Sequence, residues 1–89
     1  MAVYITARHM LGGTKHEHIA SVKWENRSTG ATGESTRAQM VEWIEKGGDA
    51  RVAKGSLYVD VRVVNAIPKY IQTYADGDWT DNLLALPEY

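Results

Sequence analysis

Three histidines crowd the start of the chain: His9, His16 and His18. In an extended segment, residues i and i+2 point the same way. His16 and His18 would then share a side, with Glu17 between them and His9 reaching across from the preceding strand. Zinc accepts three such imidazoles plus a water. The spacing matches no paired or helix-borne zinc pattern, and no fourth ligand follows. The segment is therefore read as a solvated loop, with His18 a structural hydrogen-bonder at the start of a second strand. Because imidazole titrates near neutral pH, a pH-dependent surface is a further option.

Asp76, Asp78, Asp81 and Asn82 form an acidic loop near the C-terminus. Gly77 separates the first two acids and no glutamate follows at the calcium-loop offset. Asp-Gly is instead a tight-turn pair, and Thr80 or Asp81 could cap a short turn. Glu17 with Asp60 or Asp76 offers an acid/base pair only in the sense that any chain with 11 acids does. Seven of the basic residues, Lys23, Arg27, Arg37, Arg51, Lys54, Arg62 and Lys69, are scattered. If the last hairpin is in register, Arg62 joins Lys69, and Tyr58 joins Tyr70, on one sheet face. Bases interleaved with aromatics suit single-stranded nucleic acid. Asp60 and the net charge of −1 argue instead for a solvated face with cross-strand pairs.

Elements must position these residues. Thr36-Arg37-Ala38-Gln39 has capping-box spacing. Met40, Val41, Trp43 and Ile44 then form one helical arc, with Gln39, Glu42, Glu45 and Lys46 opposite. Gly47-Gly48 ends the helix. So short a helix needs a partner surface. Val3–Met10 and Ile19–Trp24 read as an antiparallel hairpin with a long loop at its tip. Asn26–Gly33 is a loop or a glycine-bent short strand, and Ala50–Ala53 is a short strand. In Leu57–Val64, Leu57, Val59, Val61 and Val63 share one face; Tyr58, Asp60 and Arg62 share the other. Lys69–Tyr74 is the last clear strand. Trp79–Tyr89 is a tail with an apolar centre at Leu83–Leu86, expected to fold back over the core.

The 89 residues, 44% of them hydrophobic, make a single small domain spanning 1–89. There is no cysteine, hence no disulfide framework or thiolate chemistry, which fits a cytoplasmic setting. No apolar run reaches membrane-span length, and Met1–Thr6 lacks a signal-peptide pattern. The expected fold class is α+β: an antiparallel sheet of four to five strands with a single helix packed on one face.

The segments His16-Glu17-His18-Ile19, Thr36-Arg37 with Met40-Val41, Trp43-Ile44 and Gly47-Gly48, and the ending Thr73–Pro87 carry a resemblance. Together they resemble the domain-of-unknown-function family numbered thirty-eight ninety-two, over nearly the whole chain. The resemblance implies a small stand-alone protein of a bacterium or phage and supplies no catalytic residues. With no nucleophile or phosphate-loop motif present, the expectation is a non-enzymatic protein acting through contact with a protein partner or by self-association. No cofactor, metal or membrane is expected. Nucleic-acid binding is the first alternative. A small metal-dependent or acid/base enzyme built on His9, His16 and His18 is the second. Candidate binding residues are His16, Glu17, His18, Arg62, Tyr70, Asp76, Trp79, Asp81 and Asn82.

Overall fold

The computed structural model describes residues 2–89. Strand β1 (Ala2–Met10) leads through a 3-10 turn (His16–His18) into β2 (Ile19–Glu25) and β3 (Thr32–Thr36). Helix α1 (Arg37–Glu45) follows, then β4 (Asp49–Lys54), β5 (Leu57–Val64), β6 (Tyr70–Ala75) and β7 (Asp78–Thr80). The expected α+β class with one helix is what forms. The sheet, however, has seven strands in the order β3-β2-β1-β4-β5-β6-β7 rather than four or five.

The extra strands come from segments with weak local signals. β3 begins in a stretch read as a loop or a glycine-bent short strand and β4 covers one read as a short strand, and pairing on neighbours extends both. β7 lies inside what read as a tail. It forms because Asp76 and Gly77 both take positive φ, 53° and 83°. That two-residue hairpin turn matches the twist of the strands it joins and sets Asp78 opposite Ala75. One pair is also parallel, β1 with β4. Parallel neighbours need a crossover, and α1 supplies it between edge strand β3 and central β4.

The capping box is present. Gln39 N donates to Thr36 Oγ1 at 3.2 Å, and Thr36 N donates to Gln39 Oε1 at 2.9 Å. Met40 and Val41 are buried and Ile44 packs against the core, but Trp43 is 37% exposed, outside the buried arc assigned to it. Its indole lies over Gly48, where a Cβ would collide with the ring. Leu57, assigned to the inner face, is 74% exposed because it borders the Gly55 hairpin tip, beyond the edge of the core.

Helix α1 touches β2 and β3 near one edge of the sheet and β5 and β6 near the other. The 3-10 turn before β2 also touches β6. The sheet therefore curls around its core. One cross-strand row of that inner face runs Val3, Ala50, Val61, Thr73, Thr80.

The C-terminal segment closes the molecule as expected. Leu83 is completely buried, while Leu84 and Leu86 pack against the core. Beyond the stretch where β4 pairs with β1, the chain end takes over as neighbour. Arg8 N donates to Pro87 O and Tyr89 N donates to Arg8 O, each at 2.9 Å. Thr73 Oγ1 sits beneath this segment, donating to Thr80 O at 2.9 Å and accepting from Leu83 N at 3.4 Å. Among the described residues no helix is long and apolar enough to cross a membrane.

Candidate functional site

Because strand side chains alternate, the residues one step from the inner row form a row on the outer face. Across all seven strands it reads Thr32, Glu25, Tyr4, Arg51, Asp60, Tyr74, Trp79. Three guanidiniums on this face stack on phenol rings. Arg27 lies 3.8 Å from the Tyr4 centroid, Arg51 3.9 Å from Tyr58, and Arg62 4.3 Å from Tyr74. Such contacts contribute about 0.5–1 kcal/mol each at exposed sites. Tyr74 also meets Trp79 edge-on at 5.1 Å between centroids. Tyr58 and Trp79 remain 48% and 46% exposed.

Carboxylates are interleaved with these cations. Arg51 grips Asp49 with both ends of its guanidinium, Nε to Oδ1 at 3.2 Å and Nη2 to Oδ2 at 2.9 Å. Hydrogen bonds to Tyr4, then to Asp49, raise its pKa further above the ordinary arginine value. Arg27 pairs with Glu25 at 3.2 Å. Asp60 stands directly across from Arg51 in the register. Among the described residues, neither Asp60 nor the Arg62 guanidinium makes an ion pair or side-chain hydrogen bond, and the guanidinium stacks on Tyr74.

The sequence candidates are only partly brought together. Arg62, Tyr70 and Trp79 lie on this outer face with Tyr58. Lys69 does not: its position falls on the inner side, where Nζ reaches Glu45 Oε2 at 2.7 Å. Tyr4, Arg27 and Arg51 complete the array, and Tyr4 was absent from the candidates. The signal for it is period-two alternation in β1, legible only once the β1–β4 register is known.

The histidines do not converge. His16-Glu17-His18 is a 3-10 turn, not an extended segment, so its side chains splay around the axis instead of sharing a side. His16 is not solvated: it is 8% exposed, and its Nε2 is buried without a hydrogen-bond partner. Burial lowers its pKa; Asp81 opposes the shift and Arg8 adds to it. His18 Nδ1 accepts from Lys15 N at 3.4 Å, within the turn. The Glu17 carbonyl accepts from Arg37 Nη1 at 2.6 Å, on the helix side, away from Asp60. His9 instead contacts the Tyr89 ring and its carbonyl. Tyr89 is likewise missing from the candidates. Its hydroxyl donates to Glu34 Oε2 at 2.5 Å and meets Ser21 Oγ at 2.9 Å. Burial, then the Glu34 hydrogen bond, raises its pKa.

The acidic loop also disperses. Asp76 forms the hairpin turn, Asp81 lies near His16, and Asn82 Oδ1 is 2.8 Å from Thr80 Oγ1. Among the described residues no three His, Cys, Asp or Glu side chains gather as a metal site. An apolar cleft of about 460 Å³ lies between α1 and the β2–β3 hairpin, lined by Val3, Trp24, Met40 and Trp43 with Ser35 and Gln39.

No curated protein and no solved structure matches the chain. A family model does match, over residues 4–87, from the first tyrosine of the outer row through the apolar segment that seals the core, and the chain belongs to that family, described as protein of unknown function (DUF3892).

Proposed function

We propose that the protein is a non-enzymatic binding protein of a bacterial or phage-infected cytoplasm, acting through protein contact on the outer sheet face. The observation that carries this reading is the density of Arg, Tyr and Trp on that face, with Tyr58 and Trp79 half exposed. These three residue types dominate interface energetics. Their stacking also holds them in place before a partner arrives, which lowers the ordering cost of binding.

Charge favours a protein over a nucleic acid. Arg27, Arg51 and Arg62 are matched by Glu25, Asp49 and Asp60 on the same face. A phosphate backbone is bound by a net excess of cations, and it would meet these carboxylates at close range. An enzyme reading gains no support from the histidines, which serve separate parts of the fold.

The test compares wild-type protein with a Tyr58→Ala/Trp79→Ala variant of unchanged melting temperature, both immobilised in bacterial lysate. A protein retained by the wild type and lost by the variant is the expected result. A protein retained equally by both makes contact elsewhere and rules out this face as the surface that binds it. Submicromolar binding of single-stranded nucleic acid at physiological salt, lost on Arg62→Ala, would put the nucleic-acid alternative first.

A further inference from the structure

The register of β4 and β5 places four charges in a checkerboard. Arg51 is opposite Asp60, and Ala50 is opposite Val61. One step further along, on the same outer face, Asp49 therefore lies level with Arg62. Reading along β5 gives minus then plus; reading along β4 at the same two levels gives plus then minus. Arg51 and Asp49 satisfy each other within their own strand. Asp60 and Arg62 are left over, adjacent on one face and opposite in sign, each without an ionic partner among the described residues. They lie along a shallow depression of about 400 Å³ bordered by Tyr58.

This pattern is its own complement. A two-fold axis lying in the contact plane, perpendicular to β5 and level with Val61, exchanges the two charge rows. It sets Asp60 of one copy against Arg62 of the other, and the reverse. The same operation sets Arg51 against Asp49. An isologous contact requires this relation, in which residue i meets j and j meets i. We propose that the outer face is a self-association surface and that a second copy of this chain is the partner. The copies stack face to face with their β5 strands antiparallel. The proposal rests on the reading of this face as the contact surface and names its occupant. A heterologous partner would have to supply one free acid and one free base at the spacing this chain already carries.

Sedimentation velocity across a loading series from micromolar to submillimolar tests it. Wild type is expected to show a reversible dimer that weakens with salt. Asp60→Arg and Arg62→Asp should each weaken association more than about a hundredfold, because like charges are then forced together. Mixing the two variants in equal amounts should restore a dimer, since two guanidiniums of one now face two carboxylates of the other. The doubly swapped protein should dimerise alone. Wild type that stays monomeric throughout, single variants that remain dimeric, or a mixture that stays monomeric each overturns the proposal. If a charge reversal fails to fold, Asp60→Asn and Arg62→Gln carry the test, and an unchanged dimer overturns it. A monomeric wild type that still retains a foreign protein, lost on Tyr58→Ala/Trp79→Ala, ends self-association but leaves the contact reading standing.

Discussion

The two faces of the same strands differ by one residue of register. Val61 belongs to the inner row with Ala50 and Thr73; Asp60 belongs to the outer row with Arg51 and Tyr74. The inner row is closed by α1 and by the C-terminal segment. The outer row has neither covering it, and Trp79 in the row and Tyr58 beside it stay about half exposed. A sheet covered on one face needs alternation and nothing more, and an alternation of apolar with merely polar residues would serve. This chain places guanidiniums on phenols instead. The comparison teaches that the core row and the row proposed for contact alternate along one backbone, so a substitution can change one and leave the other in place.

The largest expected effect comes from the inner layer. Leu83→Ala removes a fully buried leucine where the C-terminal segment seals the core. A loss of about 2–5 kcal/mol is expected by denaturant titration. A loss under about 1 kcal/mol, the range of exposed substitutions, would mean that the segment does not belong to the fold.

Thr73→Val comes next. It keeps the shape but deprives Leu83 N of its acceptor, while Thr80 O loses one donor and keeps Gln72 Nε2 at 3.3 Å. Each buried polar group left unsatisfied costs about 1–3 kcal/mol. An unchanged melting temperature would show that the Thr73 network is solvated rather than buried.

His16 adds a pH dependence to the inner layer. Burial lowers its folded pKa below the ordinary 6.5, so the folded state favours the neutral ring. Below that value the unfolded chain takes up the proton first, and linkage favours unfolding. Its contribution is therefore fully present above about pH 6.5 and is lost as pH falls toward the folded pKa. Stability measured between neutral and mildly acidic pH should fall less steeply in His16→Leu than in wild type. Identical slopes would place His16 in water.

The smallest effect on stability is expected on the outer face. Tyr58→Ala should shift the free energy of unfolding by less than about 1 kcal/mol, the scale of one exposed cation–π contact, while abolishing contact. A larger loss would show that the aromatic face holds the fold together, and the division between the two rows would fail.

The sequence by itself determined the helix with both its ends and the strands of strongest alternation. It also implied that Leu83, Leu84 and Leu86 return to the core. These are local properties: a capping box, glycines at the helix end, a two-residue period, and an apolar segment after a turn. Tertiary structure alone decided the rest. Thr32–Thr36 carries only a glycine-broken strand signal and Asp49–Lys54 a short one at Ala50–Ala53; pairing of β3 on β2, and of β4 on β1 and β5, makes both full strands. His16 was legible as a histidine in a glycine-flanked loop. Its burial against β6 depends on the curl of the whole sheet. The outer array was hidden for the same reason. Tyr4, Arg51, Asp60 and Tyr74 are scattered over seventy positions of sequence, and only the register of non-neighbouring strands sets them side by side. Alternation tells which residues share a face of one strand; which strand lies beside it is settled by packing around the common core.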